Sequence, residues 1–299
     1  DLVWTSLTQG TLYGQLAGRL LDIPVVSWQH NDHLKPGNLA LLRRTRSLTS
    51  RWIADSDAVR AFAQRELGVA ADRIDVWAPF VADPDAPVSR PWTGPGRLRL
   101  GTLGRLHPNK QHAVLLHALA RARDLDANVF SGLELHIAGD GPQQTMLEDL
   151  ASTLGLSERV VFAGFVPPRP FLAGLHGYVQ TSWKEGFCIA AHEAMQAALA
   201  VVATRVGQPA HSIRPGATGW LCEVGDVEAI AQAMLALARD PASAAAMGRQ
   251  ARADVLERYS RERFRRTGEH LVERIARDVA ARRRRPDGRP AVAPPPAES

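Results

Sequence analysis

Apolar residues recur along the chain in short blocks, and the blocks alternate between strand-like and helix-like spacing. "DLVW" reads as a strand, "TLYGQLAGRLL" as a helix and "IPVVSW" as a second strand, a βαβ unit that favours a parallel sheet. "LTSRWIADS", "DAVRAFAQRELG" and "RIDVWAPF" continue the alternation as strand, helix and strand. "VADPDAPVSRPWTGPG" is dense in Pro and Gly, which break both element types, and reads as a linker. The alternation then restarts. "RLRLGTLG", "LELHIAG", "RVVFAGF", "GYVQTS", "ALAVVAT" and "GWLCEV" read as strands, with helices over "QHAVLLHALARAR", "QQTMLEDLASTLG", 226–239 and 241–259. A final helix carries Phe264, Leu271, Ile275 and Val279 on one stripe. The predicted organisation is α/β. A partial first domain spans 1–88 and a second spans 97–258, then a helix over 259–281 packs back on the body. Residues 282–299 form a basic, Pro-rich disordered tail.

Composition narrows the functional classes. At 45% apolar residues, and with no unbroken apolar stretch of membrane-spanning length, the chain reads as globular. "DLVWTSLTQG" has neither a basic leader nor an apolar block, so no signal peptide is expected. Two cysteines cannot form a disulfide framework in a chain this long, and the expected setting is cytoplasmic. The net charge of +5 suggests a nucleic-acid surface until it is located. Residues 261–299 hold eleven Arg and six acids, leaving twenty-five basic and twenty-five acidic residues in the first 260. A neutral body argues against a phosphate-tracking surface, and no nucleic-acid partner is expected.

Several loops carry candidate chemistry. "GTLGRLHPNKQ" leaves a strand through two glycines, Gly104 among them, and enters a helix. Strand ends facing a crevice are where open α/β sheets bind ligands, and Arg105 and Lys110 there could grip a pyrophosphate or simply be solvated. "AGDGP" places Gly139 and Gly141 in a second such turn, either a backbone approach to ligand or a plain tight turn capped by Asp140. Gly164 and Phe165 end a third strand, where Phe165 is either core or an apolar wall for a nucleobase. "SWKEGFCIAAHEAM" sets Glu185 just before a helix expected to open near Phe187, with Glu193 inside it. The first amides of that helix would hold an anion, and Glu193, roughly 9 Å along, would reach ribose hydroxyls. His30 follows a strand on the first-domain side of the same crevice and is either a structural histidine or a contact to sugar. Asp83–Asp85, Asp124–Asp126 and Asp55–Asp57 have Asp-x-Asp spacing three times over, which chance explains, and no metal or other cofactor is expected.

Together, "GRLHPNK", "LHIAGDGP", "VVFAGFV", "EGFCIAAHEAM", "AVVAT" and "ATGWLCEVGD" occur in an order that resembles retaining glycosyltransferases of family 4. The resemblance covers the donor half from Arg99 to Pro241. Residues 1–95 look like the second half of an acceptor domain, so that domain is expected to be incomplete. It implies two Rossmann-like domains facing a cleft, the GT-B architecture, and metal-independent transfer of sugar from a UDP- or GDP-sugar to a glycan or lipid-linked acceptor. By the same resemblance Arg105 and Lys110 would bind the pyrophosphate, helped by the amides of Phe187, Cys188 and Ile189. Glu193 would hold the ribose, Glu185 would contact the transferred sugar and His30 would lie on the acceptor side. The chain departs from the family at Cys188 and Gln208, where glycine is usual, and at His211, where glutamate is usual. Those departures and the incomplete domain support the alternative of a non-catalytic nucleotide-binding or scaffold protein. Weak contact with an inner membrane face through the Arg282 to Arg285 run is a further expectation.

Overall fold

Two parallel sheets account for every strand of the computed structural model, which describes residues 1–94 and 96–283. The first sheet orders β1 (Val3–Ser6), β2 (Val25–Gln29), β3 (Arg51–Ala54) and β4 (Ile74–Val76) side by side. Helices α1 (Leu7–Leu21), α2 (Pro36–Thr45) and α3 (Asp57–Arg65) connect them. β-Branched and aromatic residues fill these strands because both sheet faces are covered. Trp52 and Ala54 pack with Val59 and Phe62 of α3, while Val26 and Ile53 point the other way.

The second sheet contains β5 (Leu98–Leu103), β6 (Leu133–Ala138), β7 (Val160–Gly164), β8 (Gly177–Gln180), β9 (Val201–Thr204) and β10 (Gly219–Cys222). The connecting helices are α4 (His112–Leu125), α5 (Ala127–Ser131), α6 (Gln144–Thr153), α7 (Pro168–Ala173), α8 (Ile189–Gln196) and α9 (Pro209–Ser212). The chain ends in α10 (Val227–Arg239), α11 (Pro241–Arg258) and α12 (Arg261–Arg283). Strand order is β10-β9-β8-β5-β6-β7. The chain builds outward from β5 through β6 to β7, then crosses back to place β8 on the other side of β5. That reversal opens a crevice beyond the carboxyl ends of β5 and β8, the place where such sheets take ligands.

α12 returns to the first sheet. Leu271 and Ile275 are buried against Val26 and Ile53, each such side chain contributing roughly 1.5–3 kcal/mol relative to exposure. Trp77 stacks on Trp28 at 5.3 Å and packs at a tilt against Phe264 at 4.9 Å, and Arg51 bridges Asp75 and Asp278, each at 2.8 Å. The linker is tied down as well: Ala82 donates to the carbonyl of Tyr259, and Ser89 to that of Ala197, both at 2.8 Å. The tail expected from residue 282 lies outside the residues whose side chains are described. Among the described residues no helix is long and apolar enough to cross a membrane.

Three imidazoles, His112, His176 and His192, are pushed down to about 4, with burial the largest cause in each. Between the ordinary value of 6.5 and about 4 the unfolded chain binds more protons than the folded one. Stability therefore falls as pH drops through that window, by up to roughly 1.4 kcal/mol per pH unit for each fully buried ring. His176 is half-buried and adds less. Thermal melts from pH 7 to pH 4 should show Tm declining from about pH 6.5, before most carboxylates titrate. A flat Tm down to pH 5 would contradict this.

Candidate functional site

Three strand-end loops meet at the crevice. Gly104 donates to the Ala138 carbonyl at 2.9 Å, Leu106 to Asp140 at 2.7 Å and Gly139 to Gly164 at 2.7 Å. A Cβ on Gly139 would sit 2.0 Å from the Gly104 carbonyl oxygen, and one on Gly141 2.5 Å from that of Leu106. Both also have positive φ, so only glycine lets these turns stack so closely. Gly164 has open space around it, and Phe165 beside it is 83% exposed, so it is not a core residue.

The loops after β5 and β8 are laced across the strand-order reversal. Asn109 donates its side-chain amide to the Lys184 carbonyl at 2.8 Å, and Trp183 donates to the Asn109 carbonyl at 2.9 Å. The Thr181 hydroxyl donates to the Lys110 carbonyl at 3.0 Å. This brings Lys110 Nζ to 2.6 Å from Glu185 Oε1, which also accepts from the Ser182 hydroxyl at 2.6 Å. Burial opposes charge on Lys110, but the Glu185 carboxylate paired with it holds its pKa above the ordinary lysine value. Lys110 and Glu185, predicted in separate roles, thus form one ion pair. The Arg105 side chain is exposed and makes no hydrogen bond or ion pair with the described residues.

α8 opens two residues later than expected, because Cys188 takes the left-handed conformation (φ 60°, ψ 69°) and helical geometry begins at Ile189. Glu193 is therefore about 6 Å from the helix start rather than roughly 9 Å. Among the described residues no protein acceptor takes the amides of Ile189 and Ala190. They face whatever approaches the positive end of α8. The Glu193 side chain is half-buried with no hydrogen-bond partner among the described residues, and burial raises its pKa against the opposing pull of Arg169. The Phe187 ring points into the protein, stacked on His192 at 4.2 Å and edge-on to Tyr259 at 5.2 Å, so only its backbone is available to a ligand. Burial pushes the Cys188 thiol up, which makes it inert rather than nucleophilic.

The first domain closes on this loop. A Cβ on Gly186 would lie 2.0 Å from the carbonyl oxygen of His30, so the two backbones touch there. His30 Nδ1 is 2.9 Å from both oxygens of buried Asp55, and Nε2 is 2.6 Å from Ser6 Oγ. A carboxylate only accepts, so Nδ1 carries the hydrogen, which leaves Nε2 as the acceptor when the ring is neutral. Its ring stacks on Trp28 at 5.5 Å. Ser6, Asp55 and Ser182 were not anticipated: Asp55 reads in sequence only as part of an Asp-x-Asp pair, and the serines carry no local signal. Asp57, its neighbour in that pair, is bound by Arg60 at 2.9 Å and Arg258 at 2.8 Å. Among the described residues no three His, Cys, Asp or Glu side chains converge as a metal site.

Residues 97–240 match the model of the family described as glycosyl transferases group 1. The chain is 28% identical over 212 residues to the lipopolysaccharide core biosynthesis glycosyltransferase LpsE of Rhizobium meliloti (strain 1021), covering 71% of this chain and 56% of that one. It is 32% identical over 222 residues to a GDP-mannose-dependent alpha-(1-6)-phosphatidylinositol monomannoside mannosyltransferase of Mycolicibacterium smegmatis, covering 70% of this chain and 54% of that one. The chain thus spans little more than half the length of these curated relatives. The crystal structure of Anabaena HepE in complex with UDP-glucose superposes with a TM-score of 0.80 at 23% identity, over 91% of this chain and 79% of that chain. The chain has the two-domain GT-B fold of glycosyltransferases, and its residues 97–240 match the glycosyl transferases group 1 family.

Proposed function

We propose that this protein transfers a sugar from a UDP- or GDP-sugar to a glycan or lipid-linked acceptor, with retained configuration and without a metal. The observation that carries this reading is the meeting of Lys110 and Glu185, at 2.6 Å, beside a helix start whose Ile189 and Ala190 amides are unclaimed. A diphosphate at that helix end would receive two amide donors and the α8 dipole, with Lys110 and unpaired Arg105 opposite. Glu193, whose half-buried carboxylate has no hydrogen bond among the described residues, is suited to accept from the two hydroxyls of a ribose. Glu185 would face the transferred sugar, and His30, oriented by Asp55, the acceptor side.

The reaction breaks the bond between the anomeric carbon and the diphosphate oxygen and forms one from the acceptor oxygen to the same face of that carbon. The acceptor proton leaves with the departing diphosphate. Charge builds on the leaving oxygen, so preorganised cations and amides at that point supply the main stabilisation. The expectation of retention rests on the Glu185 to Glu193 spacing and its family resemblance. We place the activity at the cytoplasmic side, where nucleotide sugars are available.

Titration calorimetry with UDP, GDP and NAD tests the reading, followed by a hydrolysis screen across nucleotide sugars. UDP or GDP should bind, and Glu193→Gln should weaken that nucleotide about 10- to 100-fold, the loss expected for a charged hydrogen-bond acceptor. The same substitution should stabilise the free protein. Because the folded pKa of Glu193 is raised, its ionised form is disfavoured in the native state at neutral pH, and this penalty disappears as pH falls below the ordinary glutamate value. Binding of NAD alone would overturn the assignment. Nucleotide binding without sugar release or transfer would leave a non-catalytic nucleotide-binding module instead.

A further inference from the structure

The beginning of α8 is held by a chain of buried hydrogen bonds that starts in the other domain. Its last link is His192, whose Nδ1 lies 2.9 Å from the Cys188 carbonyl oxygen, while the helical bond from its own backbone to that oxygen is long, at 3.5 Å. A carbonyl only accepts, so Nδ1 carries the hydrogen and Nε2 of the neutral ring must accept. It does so from the Ser212 hydroxyl at 2.9 Å. With its hydrogen spent, Ser212 accepts from the Tyr259 hydroxyl at 3.2 Å, which in turn accepts from the Gln208 side-chain amide at 3.2 Å. The other end of Gln208 accepts from the backbone N–H of Asp57 at 3.0 Å, where α3 of the first domain begins. Gln208, Ser212, His192 and Tyr259 are all buried, which shields these bonds from bulk water, and the Cys188 carbonyl acceptor sets the donor directions from His192 to Tyr259.

What this chain holds is a conformation that Cys188 adopts reluctantly, since a side chain at positive φ is disfavoured and glycine is not. The peptide unit is planar and trans, so fixing the Cys188 carbonyl also fixes the direction of the Ile189 N–H. We propose that His192 is a positioning residue that aims the Ile189 amide into the diphosphate cradle, and that Gln208 makes this aim depend on the docking of α3. This rests on the donor-binding reading above for its ligand, but the hydrogen-bond chain stands apart from it.

Two measurements separate the claims. Nitrogen NMR of histidine-labelled protein should show His192 as the Nδ1–H tautomer, the less common form in solution, in the native protein and equally in Gln208→Gly and Tyr259→Phe, because the Cys188 carbonyl only accepts. Calorimetry with UDP should show Gln208→Gly weakening binding about tenfold, within the usual range of coupling between sites. His192→Leu should cost about as much in the native background but less than about twofold once Cys188 is replaced by glycine, which takes the left-handed conformation freely. An Nε2–H tautomer in the native protein, unchanged UDP affinity in Gln208→Gly, or equal His192→Leu losses with Cys188 and with glycine, would overturn the proposal. If the native protein binds neither UDP nor GDP, the donor reading fails and the tautomer measurement still decides the hydrogen-bond chain.

Discussion

Lys110→Ala is expected to lower turnover by about 10²- to 10³-fold, the usual loss when one preorganised donor is removed from a site of developing charge. Two effects combine. The leaving diphosphate loses a cation, and Glu185 is left without its ion-pair partner at 2.6 Å, holding only Ser182 and a long contact from Gln180. Lys110→Arg keeps the charge and should retain more activity than alanine, although a planar fork does not reproduce a compact ammonium. Stopped kinetics beside a thermal melt check the prediction. An unchanged rate in a folded Lys110→Ala protein would remove Lys110 from the mechanism.

Gly186→Ala should cost about 10²-fold in turnover, the scale expected when reacting groups are displaced by about 1 Å. The added Cβ would lie 2.0 Å from the His30 carbonyl oxygen and 3.1 Å from its carbonyl carbon, both backbone atoms that cannot swing aside. The first domain must therefore back away, taking His30 and the Asp55 behind it out of register with Glu185. Each domain keeps its own core, so Tm should change little while small-angle scattering reports a larger radius of gyration. Full activity with an unchanged radius would show that the contact at Gly186 does not set the working geometry.

Much of this arrangement is legible in the chain. The second-domain strands fall where apolar blocks and glycine exits place them, because a parallel sheet buried on both faces demands such runs. Short helices were missed for local reasons. α2 opens with Pro36-Gly37-Asn38, which reads as a turn, and α7 and α9 each begin at a proline, after Pro167 and after Gly207-Gln208. The start of α8 was misplaced because Cys188 is not among the residues that cap helices, and its left-handed backbone carries no sequence mark. Pairing of Lys110 with Glu185 spans 75 residues and depends on the strand-order reversal between β5 and β8. His192 carries no mark in the sequence; its hydrogen bonds to Ser212 and to the Cys188 carbonyl appear only in the fold.

The claim on which the rest depends is that a nucleoside diphosphate docks its phosphates on the first turn of α8. A crystal structure of the protein soaked with UDP tests this most directly. The account predicts phosphate oxygens within hydrogen-bond distance of the Ile189 amide and of Lys110 or Arg105, with the ribose hydroxyls on Glu193. UDP bound at another place, or this helix start still bare at saturating nucleotide, would contradict it.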